Sequence, residues 1–267
     1  MIGDERAVAD QIRGGLDACE FEPFFQPIVN IADSSLVGFE ALARWRRPGL
    51  GLVSPAEFVA SAEASGLIRA LDSAILDQAW RVFDAALDDH PPRDGKPLLL
   101  SVNLSADHLF DHVIVDHVAT LIAEGRGLRS RLQLEITETL HIRDAATALD
   151  VLNSLKSLGV SMALDDFGTG YSSLVYLHRF PIDCIKIDRS FLETVVTSER
   201  SQVIVGSIVA LSQSMGMRAV AEGVERREVA DALLVLGCQF GQGLYFGAPV
   251  PADELPTLLK NSIISGI

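Results

Sequence analysis

The chain has 267 residues, 48% of them apolar and 22% charged, enough to bury one sizeable core beneath an ordinary polar surface. A formal net charge of −14 excludes duplex nucleic acid and an anionic membrane as main partners, since both are bound through basic patches. Three cysteines, Cys19, Cys184 and Cys238, are odd in number, far apart and free of CxxC pairing. A disulfide framework or zinc knuckle is excluded, and buried thiols in a reducing cytosol are expected.

Asp4 to Asp17 reads as a short amphipathic lead-in helix within residues 1–20, without the apolar stretch of a secretory signal. Residues 21–267 then read as one domain. Eight short apolar runs alternate with longer helical patterns: 24–30, 36–45, 98–105, 132–138, 160–166, 183–189, 217–223 and 238–244. Several are nearly continuous, as in parallel strands buried on both faces. Only residues 31–35 join the first two, too few for a parallel crossover, so this pair is predicted antiparallel. Ser54-Pro55 marks one helix start, Asp72 a second and Asp144 a third, which Gly159 ends at a C′ position. Ser198 or Ser201 opens a long helix before Met217; the uncharged run Ser201 to Met217 is too rich in serine, glutamine and glycine for a membrane span. Residues 90–96 read as a surface loop. The pattern predicts an α/β fold, a modified TIM-type (β/α)8 barrel with its first strand antiparallel.

Almost every strand candidate carries one strongly polar residue in or just after its apolar core: Glu40, Asn103, Glu135, Asp165 with Asp166, Lys186, Glu222 and Gln242. Singly, a carboxylate is a salt-bridge partner or cap, a lysine snorkels, and an asparagine turns the chain. On successive strands of a barrel they converge on the C-terminal rim, where such folds build active sites. Carboxylates gathered there repel unless a cation sits among them, and an all-oxygen set suits Mg2+ or Mn2+ better than zinc. Two such ions fit in-line displacement at phosphorus. From these residues alone, an enolase-like proton abstraction with a lysine base fits equally. Asp165 and Asp166 are neighbours, so both face one site only if the chain is already turning at Asp166. His108 and His112 are spaced i, i+4 with His117 following, but the glutamate of HExxH is absent and a solvated face is expected.

The blocks around these residues make the sequence similar to the EAL-domain family of bacterial cyclic di-GMP phosphodiesterases, from about Phe21 to Pro256. Glu40-Ala41-Leu42-Ala43-Arg44-Trp45 carries the signature that names the family, and Gln26-Pro27-Ile28-Val29 precedes it. VNLS (102–105), LEITET (134–139), DDFGTGYSSL (165–174), IKIDRSF (185–191), AEGVE (221–225) and QGLYFGAP (242–249) follow in the family's order. The resemblance implies hydrolysis of cyclic di-GMP to linear pGpG by metal-assisted water attack; a catalytically silent receptor on the same fold is the alternative. It implies Glu40, Asn103, Glu135 and Asp165 as ligands of one ion, with Asp166 joining Asp165 at a second. Lys186 and Glu222 match residues that position and activate the water, Gln242 one that completes the shell, and Glu138 one that anchors the loop after Asp166. Gln26, Leu42 and Arg44 match substrate contacts, Arg44 having the fork for a phosphate; Glu225 matches a position for guanine recognition. Also implied are two Mg2+ or Mn2+ ions per site, inhibition by Ca2+, and a homodimer through 165–174. The implied location is the cytoplasm, without membrane insertion, as a stand-alone enzyme or the cytoplasmic part of a tethered protein. Leu244 departs from the family's usual aromatic residue after QG, which is expected to affect base stacking and not the metals.

Overall fold

The five residues between the first two strands decide how the sheet begins. In the computed structural model, which describes residues 2–92, 95–124, 130–137, 144–168 and 177–260, β1 (Phe21–Asn30) and β2 (Leu36–Arg47) form an antiparallel pair with Gln26 opposite Glu40. After β3 (Gly51–Val53), which folds back onto the end of β2, come β4 (Leu98–Asn103), β5 (Ser130–Thr137), β6 (Ser161–Phe167), β7 (Cys184–Ile187), β8 (Arg218–Ala221) and β9 (Phe240–Gln242). From β2 through β4 to β9 each strand pairs in parallel with the next, and β9 closes the ring antiparallel to β1. The expected barrel with a reversed first strand is therefore observed, with β3 lying outside the ring.

The later strands are shorter than the apolar runs suggest. β7, β8 and β9 leave the ladder just before Asp188, Glu222 and Gly243, because these residues line the mouth. β3 has only three residues, too few to show a period, and Gly49 and Gly51 shape the turn before it with φ of 78° and 81°.

The helices follow their capping chemistry with one exception. α1 (Ile2–Asp17) is part of the same core, since Ile12 is fully buried beside the Phe21–Trp45–Phe58 aromatic cluster. α2 (Pro55–Ala64) has proline at its first position and Glu57 accepting from the Ser54 N–H at 3.4 Å. α3 (Ile68–Asp89) begins four residues before the expected Asp72, whose carboxylate instead accepts from the Ser105 N–H across the fold at 2.8 Å. α4 (Val113–Glu124) precedes α5 (Ala145–Ser157), which Asp144 caps through Ala146 and Thr147 and Gly159 ends with φ of 86°. Ser198 and not Ser201 caps α6 (Glu199–Ser214); α7 (Arg227–Val235) and α8 (Leu255–Lys260) complete the ring. Among the described residues no helix is long and apolar enough to cross a membrane.

Strand alternation gives the barrel two cores. Outward residues join the helices, while inward Ile28, Leu99, Ala163, Cys184 and Val220 form a small apolar floor inside the ring. Two cysteines match the expectation of buried thiols: burial pushes Cys184 up to about 12 and Cys238 to about 11. Cys19 does not, being exposed at the turn after α1. His108 also departs from expectation, because a single 3-10 turn (Ala106–Phe110) swings it inward until it is 2% exposed and 3.5 Å from Asp72. His112 faces Asp150 at 3.1 Å and His117 faces Asp77 at 2.6 Å, so the three rings do not converge.

Candidate active site

Above the apolar floor the inward positions turn polar. Glu40 on β2 lies opposite Ser101 on β4, Asn103 opposite Glu135 on β5, and Thr137 opposite Asp165 on β6. Lys186 on β7 is one strand further round, and Gln242 on β9 faces back across the ring. The staggered register carries these side chains to one rim.

Lys186 stands at the centre, 1% exposed. Its ammonium donates to Glu135 at 2.6 Å and Glu40 at 3.0 Å, and lies 2.5 Å from Glu222 and 3.6 Å from Asp165. Glu40 also accepts from the Asn103 amide at 3.0 Å and the Gln242 amide at 2.8 Å. Gln242 donates further to Gln26 at 2.9 Å, and Gln26 to the Gly247 carbonyl at 3.0 Å, which ties Gln26 to the cluster.

Burial is the largest influence on each group, and the neighbours decide the outcome. Burial and Glu40 drive Glu135 well above the carboxylate range despite Lys186. Burial raises Asp165 despite the opposing pull of Lys186. Burial and the adjacent Asp165 raise Asp166, and burial with neighbouring carboxylates lifts Glu222 to about 8. For Glu40 the combined pull of Lys186, Gln242 and Asn103 overcomes burial and lowers it. Lys186 is held well above its usual value because four carboxylates outweigh its desolvation.

Asp166 has φ of 53°, so the chain does turn there, and Asp165 accepts from the Asp166 N–H at 3.0 Å. Gly168 follows with φ of 97°, where a Cβ would lie 2.8 Å from the Phe191 ring. Asp165, Asp166 and Glu222 each offer a carboxylate oxygen within 4.8 Å of the others, a group that could hold a metal ion. Glu222, expected beside the water, is thus equally placed as a ligand. The donors are all oxygen, and with all five acids ionised the carboxylates and the one ammonium leave four negative charges, which two divalent cations would balance. The residues present therefore fit hard divalent ions.

A groove of about 390 Å3 opens over the cluster, lined by Gln26, Glu40, Leu42, Asp166, Glu222, Glu225, Gln242 and Leu244. Asp188 and Arg189 line it too and were not singled out from the sequence. The signal was available, since Asp188 lies two residues beyond Lys186, just past the end of β7. Arg44, beyond Leu42 on β2, lies outside that lining; its guanidinium sits 5.6 Å over the Phe24 ring and donates to the Ala43 carbonyl at 2.8 Å. Next to Leu42 and Asn103 a more apolar cavity of about 420 Å3 runs under α2 and α3, with Pro55, Leu71 and Asp72 in its wall. Glu138 and residues 169–174 of the expected dimer segment lie outside the described residues.

The EAL domain family model matches residues 9–249. Cyclic di-GMP phosphodiesterase RocR of Pseudomonas aeruginosa is 37% identical over 255 residues, covering 95% of this chain and 63% of that protein. The first curated relatives are longer throughout, and this chain spans between 29% and 63% of their lengths. Among solved structures, the EAL enzyme Bd1971 with cAMP and cyclic di-GMP superposes with a TM-score of 0.89 at 35% identity, over 96% of this chain and 69% of that one. The PaMucR phosphodiesterase in complex with cyclic di-GMP gives 0.82 at 37%, over 93% and 99%. With the family model spanning residues 9–249 and Glu40 buried among the acids of the barrel mouth, the chain belongs to the EAL domain family.

Proposed function

We propose that this domain is a metal-dependent phosphodiesterase that opens cyclic di-GMP to linear pGpG. The observation that carries the reading is the convergence of Glu40, Glu135, Asp165 and Glu222 on Lys186 beneath an open groove. Similarity to RocR, named a cyclic di-GMP phosphodiesterase, supports the substrate. When bound, a pair of Mg2+ or Mn2+ ions supplies Lewis acidity to the phosphoryl oxygens and acidity to a water molecule. Glu40, Asn103, Glu135 and Asp165 would hold one ion, with Asp165 and Asp166 at the other. Glu222 either joins that second group or accepts the proton of the attacking water. Lys186 would orient the water and offset charge developing on phosphorus. Gln242 fixes Glu40 and Gln26, and Gln26, Leu42 and Glu225 line the groove for the nucleotide. Arg44 reaches a phosphate by turning from its resting contact with Ala43.

Incubation with cyclic di-GMP and Mg2+ or Mn2+, followed by chromatography, tests this. Linear pGpG should appear, stop with EDTA and return with added metal, while Ca2+ should support binding better than turnover because its looser shell holds the water less well. Tight binding without product would instead identify a receptor. The family likeness also supports a homodimer through the 165–174 segment, readable by sedimentation.

A further inference from the structure

Beside the apolar floor and beneath the carboxylate cluster, the barrel holds a polar column that the proposed chemistry does not use. Ser101 and Gln133 are register partners on β4 and β5, exposed by 0% and 1%. The Ser101 hydroxyl donates to Glu135 Oε1 at 2.5 Å. The Gln133 Nε2 donates to the Ser101 Oγ at 2.9 Å, and the Arg218 guanidinium donates to the Gln133 Oε1 at 3.0 Å. Arg218 starts β8, opposite Cys184 of the floor, so the column runs from one end of the barrel to the other.

The direction of this chain is forced. A guanidinium only donates, so Gln133 must turn its oxygen towards Arg218 and its NH2 towards Ser101. The hydroxyl then receives that hydrogen on a lone pair, and its own proton is left for Glu135. A cation at the barrel floor thereby sets a hydroxyl rotor four strands away round the ring, and the ionised Glu135 meets a donor at Oε1. Its other oxygen, Oε2, faces Lys186 and the cluster.

We propose that Arg218, Gln133 and Ser101 are positioning residues for Glu135, locking its carboxylate so that Oε2 alone is presented to metal. This rests on the reading of Glu135 as a metal ligand. Residues behind metal ligands commonly govern affinity through such bonds.

Gln133→Glu is the sharpest test, being nearly isosteric. Its carboxylate accepts from both Arg218 and Ser101, so the hydroxyl proton turns away from Glu135. With Mn2+ alone and no nucleotide, followed by electron paramagnetic resonance, affinity should fall about tenfold. In turnover, kcat should fall while KM for cyclic di-GMP stays within about twofold. Ser101→Ala should do the same, and so should Arg218→Met, made at a half-buried position that spares the core should Ser101→Ala not fold. A purely structural role would lower Tm and leave Mn2+ affinity alone. Folded variants that bind Mn2+ as wild type does would overturn the inference. A wild-type chain that binds no Mn2+ and makes no product would overturn the function reading instead.

Discussion

A lysine with 1% exposure in an apolar interior would shed its proton, yet Lys186 is held charged by four carboxylates within 3.6 Å. The same carboxylates can repel one another, and among the described residues the Lys186 ammonium is the positive group that contacts all four. Lys186→Ala should therefore lower kcat by about 100-fold or more, with cyclic di-GMP affinity changed only a few-fold. An unchanged kcat would remove its role. Glu40→Ala should abolish detectable turnover while circular dichroism stays native, since Lys186 keeps Glu135 and Glu222 as partners. The raised acids of the mouth carry the pH dependence: Glu135, Asp165 and Asp166 are shifted upward by burial, and burial lifts Glu222 to about 8 against 4.5 for an ordinary glutamate. Between those values the folded protein binds more protons than the unfolded chain, so metal-free stability declines as pH rises through that window. Asp33 and Asp111 shift the other way but below 3.8, outside it. Tm without metal should fall from about pH 5 to 8, and Mn2+ should restore more of it at the higher pH. A metal-free Tm that climbs over this range would contradict the assignment.

At the scale of elements, the site depends on where strands stop. Gly243 follows Gln242 with φ of 150°, and a Cβ there would meet the Val224 carbonyl oxygen at 2.2 Å. Gly243→Ala should cost about 1–3 kcal/mol, seen as a lower Tm, and should reduce turnover because β9 carries Gln242. Native Tm and activity would show that the loop yields without moving β9. The periods and caps that sequence reveals account for most of these elements: the reversed β1, Asp144 as a cap and the turn at Asp166 were legible, while Ser198 and Ser201 were equal candidates until the structure placed the cap at Ser198. The start of α3 was not, because Asp72 resembles a cap while bonding to Ser105 across the fold. The grouping of Glu222 with Asp165 and Asp166 was equally hidden, since it depends on how far β6 and β8 reach around a closed ring. Ser101 and Gln133 gave no signal, because small polar residues inside an apolar strand acquire meaning only from register.

For the whole molecule, a chain of charge −14 needs its field reversed at one place to take the proposed substrate, a nucleotide with two phosphates. The barrel supplies that place by concentrating five acids and one lysine at its mouth, where metal is more effective than surface cations because the site is largely buried. These acids, brought together from remote positions, are proposed to hold two divalent ions. Counting bound Mn2+ per chain at saturation, for wild type and Asp166→Asn, tests it most directly. Two ions for wild type and one for the variant are predicted; a wild-type chain that binds none would contradict the account.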